Sequence, residues 1–290
     1  MILVTGATGN IGAGVVRALQ STGHPVRAAI HETPLAIDGV ETCPLDFDDP
    51  ATFAPALRGI DALFLLSREV AHEAGLVDAA RAAGVGRVVY SSAYGVETDD
   101  FLAGRMHREI EERIEASGMA WTFLRPNFLM QNFIWMMGED IRREDAFSDS
   151  IGDARVSMID ARDVGPVAAR VLTESGHAGK AYELSGPEAL SYHDAAAILS
   201  EALGRTIRYV PIDDDAYRQQ LEAAGLAPHD VDAFVDVNRE AREGRSGDHV
   251  VTDTVQQLIG RAPTPFATFC HDHAAAFAPE KAVATGAAQG

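Results

Sequence analysis

Apolar residues in this chain fall into two patterns that alternate along its first half. Residues 1–4, 25–30, 40–45, 61–66, 87–91 and 121–126 are short runs of strand length, most of them without a regularly spaced polar face. Between them, residues 13–19, 50–57, 70–83 and 101–117 carry apolar positions at intervals of three and four, the spacing of an amphipathic helix. Near-continuous apolar strands alternating with such helices predict a parallel sheet covered on both faces. Residues 180–184 return as a seventh strand, and Asp163 is placed to cap a helix over residues 164–172. In open sheets of this kind ligands bind beyond the carboxyl ends of the strands, so the residues just after each strand are the ones to inspect.

The first of those junctions carries Gly6, Gly9 and Gly12 at intervals of three, between an apolar strand and a helix. A strand turning sharply into a helix aims free backbone N–H groups and the positive dipole end at whatever lies above the turn. Glycine there permits a positive φ and lets backbone approach a pyrophosphate. The spacing is one residue longer in its first interval than the commonest dinucleotide fingerprint, G-x-G-x-x-G. Gly6, Thr8, Gly9, Asn10, Ile11 and Gly12 are therefore the candidate phosphate-binding residues.

The pattern loosens after residue 126. Residues 127–137 are rich in Phe, Met and Trp, and residues 138–150 are polar and read as irregular. Past residue 187, Ser191 and Asp194 form a capping box opening a helix through Leu203, residues 207–210 make a short strand, and Gly225, Pro228 and Gly244 interrupt later helices. The fold class expected is α/β: a Rossmann-like doubly wound parallel sheet over 1–187, with 127–155 contributing to a substrate pocket, and a smaller, mostly helical C-terminal lobe over 188–278. Residues 279–290 have no period and are expected to be disordered.

Composition narrows the partners. Asp and Glu number 43 against 24 Lys and Arg, a formal net charge of −19, which repels nucleic acid and anionic membrane surfaces. An anionic cofactor must then be held by local donors. Cys43 and Cys270 have no metal-like spacing, and two cysteines make no disulfide framework. His271-Asp272-His273 lacks a third spaced ligand and reads as a solvated helix end, so no metal is expected. No leader pattern and no membrane-length apolar run is present, and the expected compartment is the cytoplasm. A small-molecule substrate and a monomer or homodimer are the expected associations.

Taken together, residues 5–12, Leu45-Asp46-Phe47-Asp48, Leu65-Leu66-Ser67, Tyr90-Ser91-Ser92, residues 117–132 and Tyr182-Glu183-Leu184-Ser185-Gly186-Pro187 resemble the NmrA-like family of atypical short-chain dehydrogenases/reductases, over about residues 1–275. That group includes NAD(P)H-dependent quinone and azo reductases and non-catalytic redox sensors. The resemblance implies that Thr8, Gly9, Asn10 and Ile11 hold a pyrophosphate, and that Asp46 and Phe47 border the adenine. Leu66, Ser67 and Ser91 would border the ribose and nicotinamide, and Asn127, Phe128 and Met130 the nicotinamide and substrate. His107, Ser91 and Ser92 are the candidate catalytic residues. The cofactor implied is NADP(H) or NAD(H). The family leans to NADP(H), while His31-Glu32 at the end of the second strand supplies a histidine and a carboxylate where family members preferring NADP carry Arg.

One departure bears on the chemistry. Short-chain dehydrogenases usually protonate substrate with Tyr-x-x-x-Lys on the helix after the fifth strand; here Ala103 and His107 occupy those places. Reducing a plain ketone develops an alkoxide that needs a strong donor, whereas a quinone, azo, imine or enone acceptor gives a better stabilised anion. The expected activity is hydride transfer from NAD(P)H to such an electron-poor acceptor. The alternatives are a non-catalytic NAD(P)-binding sensor and a tailoring enzyme of secondary metabolism. His107 shares a helical face with Ile110 and Ile114 and so points inward, either as a core histidine bonded to a carbonyl or as a ribose contact or proton donor.

Overall fold

The structure, a computed structural model, describes residues 1–67, 70–97 and 101–279; the tail expected to be disordered lies, from residue 280 on, outside them. Strands and helices alternate as β1 (Ile2–Val4), α1 (Asn10–Ser21), β2 (Val26–Ile30), β3 (Glu41–Pro44), α2 (Phe53–Ala56), β4 (Ala62–Leu65), α3 (Glu73–Ala82), β5 (Arg87–Ser91), α4 (Leu102–Ala116) and β6 (Ala120–Pro126). They continue as α5 (Asn132–Trp135), α6 (Gly138–Glu144), β7 (Ala146–Asp149), β8 (Arg155–Val156), α7 (Ala161–Thr173) and β9 (Lys180–Leu184). The remainder is β10 (Leu190–Ser191), α8 (Tyr192–Leu203), β11 (Arg208–Pro211), α9 (Asp214–Ala223), α10 (Pro228–Arg242), α11 (Thr254–Ile259) and α12 (Phe266–Asp272).

Seven strands form one parallel sheet in the order β3-β2-β1-β4-β5-β6-β9. The order reverses at β1, and ligands of doubly wound sheets sit above that switch point. Successive strand residues serve opposite faces, as the two-residue period requires. Val4 and Phe64 pack under α1 and α7 with Val15, Leu19, Val164 and Val167, while Leu3 and Leu63 pack under α3 and α4 with Leu76, Val77, Ile110 and Ile114. A further core of Phe133, Phe147, Tyr192, Tyr209, Phe266 and Phe269 joins the segment after β6 to the C-terminal elements. No helix among the described residues is long and apolar enough to cross a membrane.

Two local expectations are corrected. Residues 138–150 are not irregular: they form α6 and β7, and β7 pairs in parallel with β11 some 60 residues later. A strand whose hydrogen bonds go to so distant a partner leaves little mark on its own segment. Asp163 does not cap α7. Asp160 does, accepting the Arg162 N–H, and Asp163 instead accepts the Thr264 N–H at 2.6 Å and pairs with Arg261. The Ser191–Asp194 capping box forms as read.

Candidate active site

The glycine turn is built for an anion. Gly6 sits at φ +60°, and a Cβ on Gly12 would lie 2.1 Å from the Gly6 carbonyl oxygen, so Gly12 is required for helix and loop to touch. Thr5 Oγ1 donates to the Leu66 carbonyl at 2.8 Å and receives the Leu66 N–H at 2.9 Å, tying the ends of β1 and β4 together at the switch point. Gly9 caps α1 with extended backbone and no side-chain acceptor. The first-turn amides are thus left to a ligand, and Thr8, Gly9 and Asn10 are exposed around them. Ile11 lies beneath with its side chain in the core, so only its backbone faces this site. Free amides at a 12-residue helix, over a turn where a Cβ does not fit, suit a dinucleotide pyrophosphate.

Beyond β2, His31 and Glu32 are exposed, and His31 Nε2 lies 3.5 Å from Asp46 Oδ2. Phe47 packs edge-on against Phe53 beside Asp46. Arg27 bonds Glu41 and the carbonyls of Ala56 and Arg58, so its guanidinium is already engaged.

A cavity of about 320 Å³ opens past the carboxyl ends of β5 and β6 and is roofed by α10. Tyr94, Ala103, His107, Asn127, Phe128 and Phe234 are on its wall. Of the residues expected to be catalytic, His107 alone lines it. The Tyr90 hydroxyl lies 2.6 Å from His107 Nδ1, so the inward partner is a phenol and not a carbonyl. Burial drives the imidazole pKa down to about 4, and the ring is neutral at pH 7. Ser91 and Ser92 are buried at the end of β5 and do not reach the cavity wall; the Ser92 hydroxyl has no hydrogen-bond partner among the described residues. Asn127 reaches the wall, but its amide donates to Ser157 Oγ and the Asp248 carbonyl and accepts the Phe128 N–H, so it fastens β6 to the 248 loop. Met130 lies in the C-terminal core, away from the cavity.

Other site residues escaped the sequence reading. The α10 wall came from a segment with no motif. Glu73 is 1% exposed, with Oε1 accepting the Ser67 N–H at 2.8 Å, and burial raises its pKa to about 7. A signal for it existed, because Glu73 precedes Leu76, Val77 and Ala80 at the spacing of a buried helical stripe. Arg125 grips Glu111 at 2.9 and 2.7 Å, fixing α4, and with it His107, against β6.

A phosphate-binding turn at the switch point, next to a largely apolar cavity lined by the neutral His107, defines a dinucleotide-binding protein of the Rossmann-like class. The chain belongs to the NmrA-like family, whose model matches residues 1–250. It is 38% identical to an NAD(P)H azoreductase of Xenophilus azovorans, over 96% of this chain and 99% of that one. It is 39% identical to a (4-alkanoyl-5-oxo-2,5-dihydrofuran-3-yl)methyl phosphate reductase of Streptomyces griseus, over 97% and 100%. Among solved structures, the NADPH complex of an NADPH-dependent quinone oxidoreductase from Escherichia coli superposes with a TM-score of 0.82 at 28% identity, covering 94% of this chain and 99% of the other.

Proposed function

We propose that this chain, an NAD(P)H-dependent oxidoreductase, reduces electron-poor small molecules of the quinone, azo, imine or enone type in the cavity beside His107. The observation that carries the reading is the wall itself: His107 is the candidate donor that lines it, together with Ala103, which the family resemblance sets at the place of the tyrosine acid. A neutral imidazole is a weak acid. It suits acceptors whose anions are already delocalised and serves a simple alkoxide poorly. Tyr94 also lines the wall, but its hydroxyl is directed to the Val250 carbonyl at 3.4 Å. The names of the azo, dihydrofuran and quinone relatives point the same way.

The free amides at the start of α1, with Thr8 and Asn10, hold the pyrophosphate; Asp46 and Phe47 border the adenine. Leu66, Ser67 and Ser91 border the ribose and nicotinamide. Once bound, the reduced nicotinamide supplies a hydride. Phe128, Phe234 and Met106 exclude water from the cavity, and His107 delivers a proton from Nε2 to the reduced acceptor. His31 and Glu32 present a histidine and a carboxylate at the end of the second strand, and the protein takes NADPH or NADH.

Oxidation of each dinucleotide should be followed with a benzoquinone, an azo dye, a cyclic imine, a butenolide and an aliphatic ketone. Turnover is expected with at least one of the first four, at least about 100-fold above the ketone, the range a positioned strong donor normally supplies. Equal rates with the ketone, or no turnover with any acceptor, would overturn the reading.

A further inference from the structure

We propose that Glu73, Tyr90 and His107 form one buried proton chain ending at His107 Nε2 in the cavity, with the Glu73 carboxyl as the stored proton; this rests on reading the cavity as the site of reduction. The three residues come from α3, β5 and α4, and no short motif joins them. Tyr90 is fully buried and 2.6 Å from His107 Nδ1, and its hydroxyl also faces the Glu73 carboxyl. Glu73 Oε1 is taken by the Ser67 N–H, and the buried Oε2 has no hydrogen-bond partner among the described residues.

A phenol has one proton, and the short contact to a neutral imidazole leaves two consistent arrangements. In the first, Glu73 is protonated and donates to Tyr90 Oη, Tyr90 donates to His107 Nδ1, and Nε2 carries a proton toward the cavity. In the second, Nδ1–H donates to Tyr90 Oη, Tyr90 donates to a Glu73 carboxylate, and Nε2 is bare. They differ by one proton, and the first becomes the second when Nε2–H is given away. The acceptor gains a hydride from the reduced dinucleotide and the Nε2 proton. The Tyr90 proton moves to Nδ1, the Glu73 proton moves to Oη, and negative charge is left on Glu73. After product leaves, cavity water protonates Nε2 and the shifts run backward. The imidazole never becomes a cation, which its apolar surroundings disfavour.

The neighbouring charges allow this. Glu111 also acts electrostatically on Tyr90, and it is held by Arg125 and Arg108. Asp78 on α3 pairs with Arg113 on α4 at the surface, and His72, ahead of Glu73, lies 3.1 Å from Asp48. Among the described residues no guanidinium or ammonium touches Glu73, and a proton neutralises it there.

The first test uses the dinucleotide-free protein. Infrared spectra should contain a protonated carboxyl band that is lost with a midpoint near 7 and is missing in Glu73→Gln. Imidazole ¹⁵N signals should show His107 neutral throughout, passing from the Nε2–H to the Nδ1–H tautomer over the same range. In the second test, turnover of the best acceptor should fall above that midpoint, and Tyr90→Phe should lower kcat by roughly 10²-fold or more with little change in acceptor KM or dinucleotide Kd. Glu73→Gln should remove the inflection, and Glu73→Asp should partly restore it. A Glu73 already ionised at pH 5.5 overturns the chain whatever the activity. So do unchanged kcat and pH profiles in Tyr90→Phe and Glu73→Gln, the result of a purely structural role. If the unmutated protein turns over no acceptor, the reading of the cavity fails, and the infrared and tautomer titrations alone decide whether the chain carries protons.

Discussion

Gly9 and Gly12 lie three residues apart in one turn, yet a side chain means different things at each. A Cβ on Gly9 meets the Gly6 carbonyl oxygen at 3.3 Å, a tight contact, while one on Gly12 would overlap it at 2.1 Å. Gly9→Asp is therefore expected to leave the melting temperature within a few degrees and abolish dinucleotide binding by placing an anion against the pyrophosphate. Gly12→Ala is expected to destabilise the protein by about 1–3 kcal/mol, as overpacking does, with binding lost alongside. Calorimetry and thermal melts on both variants check this; equal melting losses would mean the turn does not divide labour this way. At the other end of the cofactor, Glu32 is exposed and the nearby Arg27 is already engaged. Glu32→Arg should move the ratio of the two dissociation constants toward NADPH by about tenfold or more, because a carboxylate is exchanged for a bidentate phosphate donor. A static ratio would place discrimination elsewhere.

At the scale of elements, α4 is positioned by charge. Glu111 is fully buried one turn after His107, and its carboxylate takes two bonds from the buried Arg125. Breaking a buried pair costs about 3–5 kcal/mol, and toward the lower end where the remaining ion keeps a partner, as Arg125 keeps Glu97 at 2.9 Å. Glu111→Ala is expected to lose stability on that scale and to reduce turnover per folded molecule, because the His107 ring rides on the same helix. Melts and active-site-normalised rates check it, and a loss of stability with no loss of rate would show that Tyr90 alone holds the ring. A similar close fit governs α1 and α7, where a Cβ on Gly165 would come within 2.6 Å of the Gly14 backbone. That contact brings the helix under the phosphate site against the sheet. It was not evident in advance, since a glycine inside a helical pattern reads as a weakness until its neighbour is known.

For the molecule as a whole, buried acids set the response to pH. Burial raises Glu73 from 4.5 to about 7 and Asp149 from 3.8 to about 7, so at pH 5–6 the folded state keeps protons that the unfolded chain has lost. Their contribution is full below the unfolded values and is lost as pH rises through 7, on the order of 3 kcal/mol for each. His107 has the opposite sign: its folded value is near 4 against an ordinary 6.5, so stability falls as pH drops through that window. Melting temperature at fixed salt should therefore be higher near pH 6 than at pH 8, and Glu73→Gln should flatten the alkaline side. Repulsion within a chain of net charge −19 adds to the alkaline loss and is screened by salt, which separates the two effects. A flat profile in the unmutated protein would mean the acids ionise without penalty.

The local sequence determined whatever depends on neighbours in the chain: the strand runs, the Gly6–Gly12 turn, the Ser191–Asp194 box and the inward face of α4, because period, glycine φ and capping are settled within a few residues. The free helix start was legible for the same reason. Tertiary structure decided the rest. It made β7 a strand by supplying β11, moved the α7 cap from Asp163 to Asp160, withdrew Met130 from the pocket into a second core, and roofed the cavity with α10. It also brought Glu73, Tyr90 and His107 together from three elements and shifted the pKa values of all three. Those shifts come from desolvation and from partners far away in sequence, and neither exists until the sheet and its helices have closed around them.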